Sequence, residues 1–168
     1  LEASPASATV SVQVHVRNAS DHDRRFTLLH TLSGPDGRVA ATVTTTPTQL
    51  APGADADITA TLQVRSPALW HPRSPSLYTL ETALIEAERV LETERTRVGI
   101  RRFAVSAEGL RINGERMFLR GTNRHQDYPF LGYAISDDAQ FRDAKLIKEA
   151  GFDYVRLSHY LHAPAFMD

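Results

Sequence analysis

The chain has 168 residues, 42% hydrophobic and 23% charged, with 19 basic and 20 acidic side chains and a net charge of −1. This balance excludes disorder over the whole length and gives no global pull toward nucleic acid or an anionic membrane. There is no cysteine, hence no disulfide framework and no thiolate metal site.

The length prior is one or two domains. A β-sandwich of about 100 residues fits; a complete (β/α)8 barrel of about 250 does not. No apolar run approaches the ~20 residues of a membrane helix. The first residue is Leu, so the native start is expected to be missing, and a removed signal peptide stays open. Seventeen of the nineteen basic residues are Arg, a bias that fits an exposed surface as well as any function.

The first ~97 residues read as strands and turns. Val10, Val12, Val14 and Val16 alternate with Ser11, Gln13 and His15, which is a half-buried strand. Phe26, Leu28, His30 and Leu32 repeat the period of two. Gly34-Pro35-Asp36-Gly37 supplies a turn before Val39, Ala41 and Val43, and Ala51-Pro52-Gly53 a second one. Ile58, Ala60, Leu62 and Val64 alternate again, then Tyr78, Leu80 and Leu84. The segment from Val90 to Val98 is polar on both faces and reads as an edge strand. Short strands punctuated this way suggest an antiparallel sandwich.

The second half changes character. Gly99 to Val105 leads out of the sandwich. Asn113-Gly114, between Leu110-Arg111-Ile112 and Met117-Phe118-Leu119, is a hairpin signal. A strand is expected over 117–122 and a helix over 137–150. Ser136 or Asp137 caps the helix, Asp137 and Asp138 suit its positive end, and Gly151 stops it. Phe141, Ala144, Ile147 and Ala150 would form its apolar face. Asp153 to Ser158 reads as a strand, and Ala163-Pro164 as the start of a second helix running to Asp168. Strand, helix, strand and helix start make one βαβ unit with a parallel crossover. Two parallel strands cannot cover both faces of their own sheet. The second half is therefore expected to be the opening of a larger α/β domain.

Two polar clusters follow the two parallel strands: Asn123 to Pro129, and Arg156 to Tyr160. Both fall at carboxyl ends, the edge where parallel α/β folds bind ligands. Parallel strands put these ends on one side, so His125 and His159 can come close although 34 positions apart. Spacing alone leaves a ligand site and ordinary polar loop residues equally open. A metal site on His159 and His162 is disfavoured by the strand end and the lack of a thiolate partner. Seven Arg between Arg97 and Arg124 are interspersed with Glu108 and Glu115, which favours a solvated surface over nucleic acid. Trp70 is a sugar-stacking platform or packs at the sandwich edge, with packing favoured. His15, His22, His30 and His71 read as structural or solvent-exposed. Neither a Gly-rich phosphate loop nor a nucleophile-elbow serine occurs.

At four segments the chain resembles the family 2 glycoside hydrolases, the beta-galactosidase and beta-glucuronidase group. They are Leu69-Trp70-His71-Pro72 through Leu80, Val98-Gly99-Ile100-Arg101-Arg102-Phe103, Asn113-Gly114 through Arg120-Gly121-Thr122-Asn123-Arg124-His125, and Phe152 through Arg156-Leu157-Ser158-His159-Tyr160. The resemblance covers roughly residues 8–168. It implies an all-β immunoglobulin-like sandwich (1–105) followed by the truncated start of a TIM barrel, its first βαβ portion (106–168). It implies that His125 and His159 contact sugar hydroxyls, that Arg156 orients a nucleophilic carboxylate, and that Asn123 and Arg124 shape the same pocket.

Leu161 stands where the family usually has Pro, and Gln126-Asp127 where an acidic residue usually follows the first His. Retaining glycosidases need two carboxyl groups about 5–5.5 Å apart. Asp127 alone cannot fill both roles. No catalytic residue is therefore expected in this chain, and both glutamates are expected beyond residue 168.

The resemblance thus implies the amino-terminal fragment of a retaining hydrolase of terminal β-linked sugars, β-galactosides foremost, itself inactive. The alternative is a non-catalytic carbohydrate-binding or scaffold module. The expected partner is a carbohydrate, with no nucleic acid, membrane, metal or other cofactor. Sugar identity, compartment (cytoplasmic, periplasmic or secreted) and a homo-oligomeric parent stay open. Limited proteolysis is expected to cut residues 107–168 first and to spare residues 8–105; equal protection of both would count against an opened barrel.

Overall fold

The computed structural model describes residues 2–167; Leu1 and Asp168, which end the two expected domains, lie outside the described residues. The chain divides into two compact units, residues 1–116 and 117–168.

The first unit begins with β1 (Glu2–Ala3), β2 (Ser7–Arg17), β3 (Arg24–Ser33), β4 (Val39–Thr44), β5 (Thr48–Leu50), β6 (Asp55–Arg65), β7 (Tyr78–Glu86) and β8 (Arg89–Val98). They form two antiparallel sheets, ordered β1-β2-β6 and β4-β3-β7-β8, with β5 on the opening residues of β3. Alternating side chains make the core, because successive Cβ atoms point to opposite faces. Val10, Val12, Leu62 and Val64 from one sheet meet Leu32, Tyr78 and Leu80 from the other. Phe26, Leu28 and Leu50 form a second cluster with Val14, Val16, Ile58 and Leu84. This is the expected immunoglobulin-like sandwich.

Strand β8 is an edge, as its sequence suggests, and residues 89–97 are all exposed. Its register puts Glu92 opposite Leu84 and Glu94 opposite Thr82. Both carboxylates thus stand on the core-facing side, where an added strand would have to desolvate them.

Beyond β8 the chain folds back along Trp70. The Trp70 N–H donates to the Ile100 carbonyl at 2.8 Å, and the Arg101 guanidinium lies 4.8 Å over the indole. A Cβ on Gly99 would stand 2.7 Å from Arg101 Nη1 and 3.1 Å from the indole, so a side chain there would have to push both aside. Trp70 is therefore packed, the favoured reading. Next come β9 (Phe103–Ser106), β10 (Gly109–Ile112) and β11 (Glu115–Met117), in the sheet order β11-β10-β9. Asn113 and Gly114, at φ 53° and 87°, form the expected turn. The Asn113 amide accepts from the Arg102 N–H and donates to the Trp70 carbonyl, both at 2.9 Å. The hairpin is thereby tied to the Trp70 loop.

The second unit holds β12 (Gly121–Arg124), α1 (Asp137–Glu149), β13 (Tyr154–Leu157) and a 3-10 turn over Pro164–Phe166. β12 and β13 are parallel, as expected, pairing Gly121 with Tyr154 and Asn123 with Arg156. Ser136 caps α1, accepting from the Ala139 N–H at 3.3 Å, and Gly151 ends it at φ 84°.

Three expectations are corrected. The strand expected over 117–122 starts at Gly121, because Glu115–Met117 is drawn into the hairpin sheet. Gly121 opens β12 where a Cβ would meet the Tyr154 ring at 2.5 Å. The inward face of α1 carries Gln140, Asp143, Ala144 and Ile147, whereas Phe141 and Ala150 are exposed. The expected second helix is one 3-10 turn in the described residues.

His30 is fully buried in β3, its Nδ1 2.9 Å from Thr82 Oγ1, and burial holds its pKa below the ordinary imidazole value. Below about pH 6.5 the unfolded chain protonates this ring before the folded one does. Stability is therefore lost as pH falls from there toward the folded value. Thermal melts across this range should show a smaller acid loss for His30→Leu than for the native chain; parallel curves would contradict the assignment.

Candidate functional site

The site is built on the parity of β12. Paired residues share a face, so Gly121, Asn123, Tyr154 and Arg156 stand on one side, and Thr122, Arg124, Val155 and Leu157 on the other. The second side meets α1. There Arg124 is 6% exposed. Its Nε and Nη2 donate to Asp143 Oδ2 at 3.1 and 2.6 Å, and Nη2 also donates to Gln140 Oε1 at 2.7 Å. Nη1 reaches His162 Nδ1 at 3.3 Å, and the guanidinium lies 4.3 Å over the Phe166 ring. The other Asp143 oxygen accepts from the Tyr128 hydroxyl at 2.5 Å. That bond, reinforced by burial, raises the Tyr128 pKa above the ordinary phenol value. Gln126 Oε1 accepts from Gln140 Nε2 at 3.2 Å and from the Ala163 N–H at 3.4 Å. The loop after β12, helix α1 and the segment after β13 thus share one buried network.

The opposite side is open. Asn123, His125, Arg156 and His159 are all exposed. The His125 and His159 rings lie 6.0 Å apart at 61°, the juxtaposition expected from the parallel strands. Tyr160 lies 5.9 Å from His125, and its hydroxyl accepts from the Gln126 N–H at 3.0 Å. The Ser158–His159 peptide bond is cis. Two imidazoles, an amide and a guanidinium thus face outward together, a set rich in donors for hydroxyl or carboxylate oxygens. Asp127 is the exposed carboxylate of the first cluster, whereas Asp143 is committed to Arg124 and Tyr128.

Arg124 itself points away from this open side. Sequence reasoning also gave no role to Gln140, Asp143, Tyr128 or Tyr160, and weighed His162 only for a disfavoured metal site. A signal for two of them was present: Gln140 and Asp143 share the helical spacing of Ala144 and Ile147. The four histidines read as structural or exposed are so placed: His15 lies between Asp55 and Asp57, His22 is exposed beside Asp21, His30 is buried, and His71 Nδ1 accepts from the Arg73 N–H.

Comparison with known proteins gives the following matches. Residues 1–101 match the model of Glycosyl hydrolases family 2, and residues 103–168 that of the family 2 TIM barrel domain. A beta-galactosidase of Thermoanaerobacter pseudethanolicus is 40% identical over 114 residues, covering 67% of this chain and 15% of that protein. A putative beta-glucuronidase of Formosa agariphila is 40% identical over 102 residues, covering 60% and 12%. The crystal structure of a Bacteroides uniformis beta-glucuronidase superposes with a TM-score of 0.93 at 32% identity, covering 99% of this chain and 20% of that one. The chain therefore spans a fifth or less of the length of these relatives.

Replacing Arg124 by Met would leave the Asp143 carboxylate without its cation. Breaking a buried pair on one side costs about 3–5 kcal/mol; the upper part of that range is not reached here, because Asp143 is 20% exposed. Hydrogen exchange should accelerate over residues 121–166 and stay unchanged in β2, β3, β6 and β7. Loss of protection confined to the sandwich would refute the assignment.

Proposed function

The chain belongs to glycosyl hydrolase family 2, and from that premise we propose that it is the amino-terminal part of a retaining glycoside hydrolase. The substrate is a terminal β-linked sugar, galactose foremost. In this reading residues 1–105 are the sandwich domain and residues 106–168 the opening of the catalytic barrel domain. The observation that carries it is the meeting of His125 and His159 beside Arg156 and Asn123 at the carboxyl ends of two parallel strands.

Each exposed group has a task that its chemistry fits. His125 and His159 donate ring N–H groups to hydroxyl oxygens of the sugar. Asn123 shapes the same pocket from the strand, and Arg124 does so from behind, by holding the loop that carries His125. The Arg156 guanidinium hydrogen-bonds the nucleophilic carboxylate, orients it and favours its ionised form. A retaining mechanism needs two carboxyl groups about 5–5.5 Å apart, and both are glutamates beyond residue 168. A carbohydrate is the partner; neither nucleic acid nor membrane enters the reading. A β-glucuronide is the second substrate to test, since both activities are named among the relatives.

The reading is tested on nitrophenyl β-galactoside and β-glucuronide. The 168-residue chain should turn over neither; turnover that survives Asp127→Asn would overturn the assignment of the glutamates. The gene should continue past the codon for Asp168 and encode both glutamates. In the protein so encoded, His125→Ala or His159→Ala should lower kcat/KM at least about tenfold, a loss of ~1.4 kcal/mol of transition-state binding. Unchanged kcat/KM in both variants would remove the two histidines from the site.

A further inference from the structure

Tyr160 has no sugar contact in the proposed function, yet it sits between the buried network and His125. Its hydroxyl accepts from the Gln126 backbone N–H at 3.0 Å and stands 3.5 Å from His125 Nδ1. Its ring is stacked on His162 at 4.8 Å, with 17° between the planes. His162 in turn meets Arg124 Nη1 through Nδ1 at 3.3 Å. A guanidinium has only donors, so His162 Nδ1 must accept and its ring proton sits on Nε2. The stacked pair is thereby fixed from the Arg124 side.

The same bookkeeping applies one step outward. The Tyr160 oxygen already accepts from a backbone N–H, so its own proton needs an acceptor. His125 Nδ1, at 3.5 Å, is the side-chain nitrogen placed to take it. We infer that Tyr160 is a positioning residue for His125, donating its O–H to Nδ1 and holding the imidazole in the Nε2–H tautomer. The free nitrogen of His125 is then a donor, so it selects a sugar oxygen lone pair at that point of the subsite. A separation of 3.5 Å is the outer limit of such a bond. The importance of the tautomer rests on the proposed sugar contact of His125. The tautomer itself is a property of the free chain.

Long-range proton–nitrogen correlation spectra of the 15N-labelled 168-residue chain, without sugar, read it directly. The pH is set about two units above the ordinary imidazole value. His125 should show a bare Nδ1 and a protonated Nε2, unmixed, unlike free imidazole. Tyr160→Phe keeps the ring stack and removes the O–H. It should shift the His125 nitrogens toward a tautomer mixture while His162 keeps its Nε2 proton, reporting an intact unit. A protonated or mixed Nδ1 on His125 in the native chain overturns the inference, whether or not the variant folds. So does an unchanged His125 pattern in the variant with His162 intact. Neither result depends on sugar hydrolysis, so failure of the functional reading is seen separately.

Discussion

The second unit depends on one buried cation. Arg124 is withdrawn from water on β12, and a guanidinium can be held there only if its donors are met. Asp143 balances the charge, Gln140 takes a third bond, His162 meets Nη1 and the Phe166 ring covers the plane. These partners come from the helix and from the segment after β13. Meeting one side chain therefore fixes the helix rotation and the path of the chain beyond Ser158. The rotation of α1 follows from it: Gln140 and Asp143 turn inward, and Phe141 is carried outward. A second consequence runs through Asp143 to Tyr128, which anchors the loop carrying His125.

The sandwich rests on a simpler constraint, the period of two. Val10, Val12, Leu62, Val64, Leu28 and Leu32 are buried because alternation sends them all to the space between two sheets. Its exceptions are informative. Glu92 and Glu94 occupy core-facing positions at the open edge of β8, where a hydrophobic residue would invite another strand. Asn113 accepts a left-handed backbone, and in return its amide joins the hairpin to the Trp70 loop.

These differences decide what was legible in the residues. Strand alternation, the Asn113-Gly114 turn, the Ser136 cap and the Gly151 stop are local signals, and each stands where it was read. The approach of His125 and His159 was also legible, since it follows from parallel strands alone. Two features were hidden because they depend on contacts between elements. The start of β12 is set by where β11 lets go and by the Tyr154 ring against Gly121. The inward face of α1 is polar, so a search for an apolar stripe selects Phe141 and misses Asp143. Asn123 and Arg124 looked like neighbours in one cluster only while the strand seemed to end before them. Once both lie inside β12, alternation sends them to opposite sides.

That separation explains how a small parallel unit can hold a site open. Side chains facing a ligand must keep polar groups free, and groups left free contribute little to folding. Strand parity resolves the conflict by giving the two tasks to alternate residues of one segment. Arg124 binds its strand to what lies behind it, while Asn123 and Arg156, paired across the same register, face outward. Their backbone spacing is set by the strand pair, about 4.8 Å, and needs no contact between the side chains. His125 lies one residue past the strand and lacks that support. Its ring is steadied by Tyr160, which the Gln126 backbone N–H and the His162 stack hold from the buried side.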